Sequence, residues 1–346
     1  MIIGIEVNPA SREQKTGTEW YTVKLVEAMQ RQLLKEGEQV LLYSRENLKW
    51  PFKRMWTQAR LSWEMFRRPP DVLFVPAHAV PRVHPKKTVT TIHDIGFKRF
   101  PQLYEPKARR YLDATTKFAV KKCAKIITPS EFTKRELVEL YHADPNKIIV
   151  TPLAPIQSSG ETVSAPSHFF LTMSRIESKK NIATLVRAFE IFKERRGVGD
   201  PFELYLAGKP GFGYGAIKTL IDRSPVRASI KELGFVTDEQ AHDLFARAYA
   251  YVYPSWYEGF GISAVDAMQS GAPIIASNIP ALHEAAGDAA LYFDPNSPQE
   301  LARKMSELAD NPTLREELHK KSLTQVEQFS WDKTAEQTWD VLRSML

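Results

Sequence analysis

Tyr253-Pro-Ser-Trp-Tyr-Glu-Gly-Phe-Gly-Ile-Ser-Ala-Val-Asp-Ala-Met268 reads as one strand–loop–helix unit. An aromatic and β-branched run ends at Tyr253, a loop holding Gly259 and Gly261 follows, and a helical pattern begins near Gly261. Glycines at such a turn let main chain approach a ligand closely. The helix beyond offers unpaired N–H groups and the positive end of its dipole, which suits a phosphate. Carboxylates at Glu258, before the helix, and Asp266, inside it, can each accept two bonds from a vicinal diol. A sugar and a ribose both offer such diols. Taken alone, the same stretch also fits a glycine turn with a solvated acid.

The unit repeats on either side. Upstream lie candidate strands Phe169–Met173 and Phe202–Leu206, then Tyr249–Tyr253 itself; downstream lie Pro273–Ala276 and Ala290–Phe293. Ile182, Leu185, Phe189 and Phe192 share one helical face behind Asn181, read as an N-cap. Ser297-Pro-Gln-Glu300 reads as a capping box with proline at the first helical position, and 311–346 as all-helical. The first half shows the same alternation, with strands at Ile2–Val7, Val40–Tyr43, Val72–Val75, Val89–Ile92, Ile126–Thr128 and Ile148–Thr151. Trp20, Val23, Val26, Met29 and Leu33 mark a helix face between the first two. Pro152 to Pro166 has no periodicity and reads as a linker. Alternating strands and helices predict parallel sheets covered on both faces. The expected organisation is α/β: two Rossmann-like, doubly wound domains over 1–160 and 161–328, with the cleft between them as the expected site.

Length and composition agree. A chain of 346 residues is about twice one compact core, and 43% hydrophobic with 25% charged residues excludes a disordered chain. No run of about 18 apolar residues exists to span a bilayer, and Met1–Val7 reads as a first strand rather than a signal peptide. Cys123 is the only cysteine, so a reducing, cytoplasmic setting is expected. The net charge is +6, with 27 Lys and Arg against 16 Asp and Glu in 1–160, and 20 against 25 in the remainder. A basic half joined to an acidic half suggests different partners.

Three further segments carry chemistry. Met173-Ser-Arg-Ile-Glu-Ser-Lys-Lys-Asn181 delivers Arg175 and Lys180 at a strand–helix turn, two cations able to neutralise a pyrophosphate without a metal. Thr90-Thr-Ile-His-Asp-Ile-Gly96 puts His93 and Asp94 at a strand's carboxyl end. Thr16-Gly17-Thr18 opens a long helix, a second candidate anion position without a dinucleotide fingerprint. The sequence contains no Asp-x-Asp, P-loop, HExxH or GxSxG, which removes support for ATPase, metalloprotease and serine-hydrolase readings.

Together these segments resemble the retaining glycosyltransferases of family four, of the GT-B fold. The family's Glu-seven-residues-Glu motif is similar to Glu258–Asp266, and its Gly-Arg-Leu-x-x-x-Lys-Asn segment to Ser174 through Asn181; His93-Asp94, Thr128–Glu136 and Ala276–Glu284 also resemble family segments. The resemblance implies a hexosyltransferase using a nucleotide-diphosphate sugar as co-substrate, with no cofactor and no metal. Likeness to bacterial mannosyltransferases implies GDP-mannose as the first donor and a UDP-sugar as the second. Arg175 and Lys180 would hold the diphosphate, reinforced by the main chain of Phe260, Gly261 and Ile262; Glu258 would bind the donor sugar and Asp266 the ribose. Phe235 and Val236, in Gly234–Asp238, would line the base, His93 with Asp94 would lie by the transferred sugar, and Gly17 near the distal phosphate. Residues 329–346 would cross back to the N-terminal domain. The acceptor would be a glycan or lipid-linked hydroxyl. Two departures stand out: Asp266 replaces the family's second Glu, and Gly17 stands where many members carry Gly-Gly. Retention without an evident nucleophile suggests front-face attack assisted by the leaving phosphate. Alternatives are a GT-B relative of another class, such as a sugar-nucleotide epimerase or glycan phosphorylase, or a non-catalytic module for an anionic polymer. No nucleic-acid motif is present.

One segment stands outside that scheme. In 49–68, six basic residues accompany one acid; at helical spacing Phe52, Trp56, Ala59, Trp63 and Phe66 share one face, and Lys53, Arg60 and Arg67 another. Lys107, Arg110, Lys117, Lys121 and Lys125 form a second basic stripe on a predicted helix. The aromatic face either packs on its own sheet or meets an anionic membrane surface at the inner face of the membrane.

Overall fold

A computed structural model describes residues 1–11, 15–52, 55–156, 166–197 and 199–345. The chain forms two compact units. One takes residues 1–101, 106–156 and 329 onward; the other takes 102–105 and, among described residues, 166–328. The expected 160/161 boundary, most of the linker, Lys53 and Arg54 lie outside the described residues.

In the first unit β1 (Ile2–Glu6), α1 (Gly17–Arg31), β2 (Gln39–Tyr43), α2 (Ser62–Arg67), β3 (Val72–Val75), β4 (Thr88–Thr91), α3 (Gly96–Arg99), α4 (Pro106–Lys122), β5 (Lys125–Thr128), α5 (Glu131–Tyr141) and β6 (Ile148–Val150) follow in turn. All strands pair in parallel, in the order β2-β1-β3-β4-β5-β6, with Ile3 opposite Val40 and Val72. Strands β3 and β4 are buried on both faces, as an all-parallel interior requires.

The second unit contains β7 (Phe169–Met173), α6 (Ile182–Arg196), β8 (Glu203–Ala207), α7 (Tyr214–Asp222), β9 (Ile230–Gly234), α8 (Asp238–Arg247), β10 (Ala250–Tyr253), α9 (Ile262–Gln269), β11 (Ile274–Ser277), α10 (Pro280–Ala286), β12 (Ala290–Phe293), α11 (Pro298–Ala309) and α12 (Pro312–Val326). Its sheet order, β12-β11-β10-β7-β8-β9, is again wholly parallel. Ile182, Leu185, Phe189 and Phe192 are fully buried against Phe170, Phe202 and Leu204, so the sequence assigns the core face of α6 correctly. Finally α13 (Trp331–Arg343) packs on α1 in the first unit, and Trp331 Nε1 donates to the carbonyl of Pro155 at 2.7 Å.

Several local expectations need correction. Strand β9 was not expected, because Ile-Lys-Glu-Leu-Gly lies at a sheet edge where only Ile230 is buried and no alternation survives. The buried residues of α1 are Glu19, Tyr21, Thr22, Leu25, Val26, Ala28 and Met29. They keep Val26 and Met29 of the expected face, while Trp20 and Val23 are only half-buried and Leu33 lies beyond the helix, 92% exposed. Asn181 has φ 52° and makes no side-chain cap; its Nδ2 donates to Pro295 O at 2.9 Å. Ser297 caps α11, but Glu300 reaches the N–H of Asp294 instead of closing the box. Lys125 belongs to β5, not to the preceding helix, and its Nζ donates to Asn146 O.

Candidate functional site

In the second unit the chain order reverses between β7 and β10, which pair at Phe170–Ala250 and Leu171–Tyr251. Beyond the carboxyl ends of two such strands the connections diverge to opposite sides and leave a crevice, the ligand position of doubly wound sheets. The turns leaving these two strands carry Arg175, Lys180 and Glu258.

The turn after β7 is tied down by main chain. Ser174 N–H donates to Ala207 O, Ile176 N–H to Lys209 O and Gly211 N–H to Ile176 O, each at 2.9 Å. At Gly208, with φ +139°, a Cβ would stand 1.7 Å from the Ser174 carbonyl, so no other residue fits. A 3-10 turn over Ser178–Lys180 then aims the lysine, and Trp256 N–H donates to Lys179 O at 3.0 Å, joining the loop after β10 to this turn. As a result Lys180 Nζ lies 2.5 Å from Glu258 Oε1, with their side chains 14% and 10% exposed. The ammonium also sits 5.5 Å from the centre of the Tyr253 ring. Burial above all, and then the Glu258 charge, push the Tyr253 phenol well above its ordinary range, so it remains a proton donor beside that carboxylate.

Arg175 contrasts with Lys180. Its side chain is 58% exposed, its nearest acid is Glu177 at 3.9 Å, and it makes no side-chain hydrogen bond among the described residues. The crevice thus holds one cation already balanced by an acid and one whose donors face solvent.

Gly261 begins α9 at φ +124°, and a Cβ there would lie 2.7 Å from Leu282 Cδ2. The close approach of α10 and the backbone conformation both require glycine. No side chain caps this N-terminus, so the first-turn amides around Ile262 keep their hydrogen-bonding capacity for an anion. Phe260, just before this helix start, is buried. Asp266 is 5% exposed within α9. Its charge and that of Glu258 both raise the Tyr251 phenol, after burial, and this phenol donates to Met173 O at 3.3 Å. Further along the crevice side, Phe235 is half exposed with Lys209 Nζ 4.6 Å from its ring, and Val236 is half-buried.

The remaining expected residues lie in the first unit. Gly17 is the first residue of α1, where Glu19 accepts from both the N–H (3.1 Å) and the hydroxyl of Thr16. His93 follows β4. Its Nε2 lies 3.0 Å from the carbonyl of Pro76, which makes that nitrogen the donor and leaves Nδ1 as an acceptor. Burial pulls its pKa down to about 4, so the ring is neutral near pH 7. Tyr21 holds it edge-on at 4.6 Å between ring centres and bonds Thr91 at 3.1 Å. Asp94 accepts the N–H of Gly96 at 3.1 Å and so helps to start α3. His78 is a half-buried member of this cluster that the sequence reading missed. Its Nδ1 has no partner, and burial lowers its pKa. Tyr21, Tyr251 and Tyr253 were missed as well. Their only signal was an aromatic adjoining a motif, which is equally the signature of core.

The comparisons with known proteins fall on the same residues. Residues 17–154 match the family described as Glycosyltransferase Family 4, and residues 158–325 match Glycosyl transferases group 1. O-antigen chain mannosyltransferase B of Escherichia coli is 31% identical over 268 residues, covering 73% of this chain and 69% of that protein. The serotype-specific mannosyltransferase WbdA of the same species is 27% identical over 72% of this chain, but the match spans only 32% of its length. Among solved structures, a sucrose-phosphate synthase from Thermosynechococcus elongatus superposes with a TM-score of 0.78 at 17% identity, covering 100% of this chain and 99% of that one. Anabaena HepE, solved with UDP and glucose, gives 0.75 at 16% identity over 99% of both chains. At such identities these two likenesses establish the shared architecture of paired Rossmann-like units.

Proposed function

The chain belongs to the glycosyltransferases of family four and has their GT-B fold, and from that premise we propose that it transfers mannose from GDP-mannose, with retention and without a metal, to a glycan or lipid-linked hydroxyl. The observation that carries the donor assignment is the Lys180–Glu258 pair at 2.5 Å, formed across the two turns that leave β7 and β10. A diphosphate entering this crevice meets Arg175, whose donors are uncommitted, and the amides at the start of α9. It also competes with Glu258 for Lys180, so the acid is released toward the hydroxyls of the donor sugar.

As the glycosidic bond to the phosphate lengthens, negative charge grows on the leaving diphosphate, and Arg175, Lys180 and the α9 amides are already oriented toward it. Their cations supply the neutralisation that a metal gives elsewhere. Asp266, one methylene shorter than glutamate, takes the ribose in this scheme, and Phe235 and Val236 line the base; the distal-phosphate role of Gly17 rests on the family resemblance alone. His93, neutral with Nδ1 as acceptor, can receive a sugar hydroxyl, and Asp94 fixes its loop. The acceptor oxygen bonds the anomeric carbon on the face from which the diphosphate departs and gives its proton to a leaving-phosphate oxygen, which gives retention without a protein nucleophile. Mannose is favoured because the E. coli relatives are named mannosyltransferases, and GDP follows only from the family resemblance; a UDP-sugar is the second choice. Nucleotide sugars place the enzyme in the cytoplasm, at the inner face of the membrane if the acceptor is lipid-linked.

A thermal-shift screen with GDP, UDP and ADP tests the donor. The cognate nucleotide at 100 times its Kd adds about 2.7 kcal/mol of stability, the others less. Product analysis with GDP-mannose then reads the anomer formed. Full turnover in EDTA and an α-linked product are expected. Abolished turnover in EDTA, or a β-linked product, overturns the corresponding part of the proposal.

A further inference from the structure

Among the described residues of segment 49–68 in the first unit, the aromatic face is divided, part entering the core and part facing solvent. Trp56–Leu61 forms a π-helical turn that runs into α2. Trp56, Leu61 and Met65 enter a core with Tyr43, Leu73 and Val75, and Trp56 Nε1 donates to Glu6 Oε1 at 3.0 Å. A π turn places buried partners five residues apart rather than three or four. Trp63 and Phe66, which on a plain α-helix would stack in line with Trp56, are thereby rotated off the core. Phe52, Met55, Trp63 and Phe66 are 62%, 64%, 54% and 69% exposed, and the Trp63 and Phe66 rings sit 5.9 Å apart. Met55 is held at φ 61°, a left-handed conformation that disfavours a non-glycine residue. The only acid of the segment, Glu64, is bound by Arg60 at 2.7 Å, whereas Lys49, Arg67 and Arg68 are exposed.

We propose that this segment docks on an anionic lipid bilayer, with the adjoining Trp63 and Phe66 rings at the headgroup–acyl boundary and Arg67 and Arg68, next in the chain, on lipid phosphates. Aromatic tips flanked by cations suit that interface. Charge selects the lipid over a second copy of the chain. Symmetric pairing of this patch would oppose its cations with their own copies, and its single acid is already neutralised. The inference stands independently of the donor assignment, since docking requires no nucleotide.

The test is co-sedimentation of the full chain with vesicles of 30% phosphatidylglycerol in phosphatidylcholine, and with phosphatidylcholine alone. Binding to the first only, lost in 0.5 M salt, is expected. Arg67→Ala/Arg68→Ala should weaken it about 25-fold, at about fivefold per cation. Trp63→Ser/Phe66→Ser should weaken it at least tenfold with an unchanged urea midpoint, because neither side chain is in the core. Lys107→Ala/Arg110→Ala, on the exposed side of α4, should leave it within threefold. Equal sedimentation with both vesicle types, unchanged binding by the Trp63/Phe66 variant, or a dimer in solution that this variant dissociates would each overturn the proposal.

Discussion

Arg175 and the Lys180–Glu258 pair should separate catalysis from folding. Arg175 is 58% exposed with its nearest acid at 3.9 Å, so Arg175→Ala should change stability by no more than about 0.5 kcal/mol. If its guanidinium faces the charge that grows on the leaving diphosphate, the same substitution should lower kcat by about 10²–10³, or about 3–4 kcal/mol of transition-state stabilisation. Lys180→Met leaves Glu258, only 8% exposed, without its cation, and should cost about 3 kcal/mol of stability as well as turnover. The double variant Lys180→Met/Glu258→Gln removes both charges at similar volume. It should return to within about 1 kcal/mol of the parent while turnover stays depressed. Urea unfolding followed by circular dichroism reads the first quantity, and initial rates of nucleoside diphosphate release read the second. The reasoning fails if Arg175→Ala keeps kcat/KM within threefold, or if the double variant regains turnover together with stability.

Asp266→Asn should weaken nucleotide binding about tenfold or more with a smaller effect on kcat, and Asp266→Glu should bind better than Asn; calorimetric titration with GDP showing unchanged affinity would remove the ribose assignment. Gly261→Ala, forced to φ +124° with its Cβ 2.7 Å from Leu282, should cost about 1–3 kcal/mol and weaken diphosphate binding, checked by urea midpoint and the same titration. The His93 pKa is pulled down to about 4, below that of an unfolded histidine, so the unfolded chain binds the extra proton. Its contribution is complete above about pH 6.5 and is lost as pH falls toward 4. Between pH 7 and 5 the parent should therefore lose about 1–2 kcal/mol that His93→Gln does not lose, and parallel pH profiles of the two proteins would contradict this.

Much of the site was legible because its chemistry is local in sequence. A strand end, a glycine turn and a helix start within sixteen residues define the Glu258–Asp266 segment, and a strand ending in Arg175 with Lys180 five positions on defines its counterpart. What defeated the sequence reading were features set by neighbours. The edge strand β9 has no internal pattern, since pairing with β8 alone holds it. The tyrosines around His93 and Glu258 look like core residues, and they become part of the site only because a strand end or helix turn brings them beside a charged or hydrogen-bonding group.

Sequence alone determined the alternation that makes two parallel α/β units, because βα periodicity and short connections leave few other topologies, and it selected the cations, acids and glycines of the crevice. Tertiary structure decided which of those groups meet. Lys180 and Glu258 are 78 residues apart in the chain and become partners because β7 and β10 are adjacent at the point where the sheet order reverses. Strand order is fixed by long-range pairing, which no local pattern encodes. It also decided the fate of the aromatic segment. One π turn, closed by burial of Trp56 and its bond to Glu6, sends Trp63 and Phe66 outward, where helical periodicity alone had put all three on a single face.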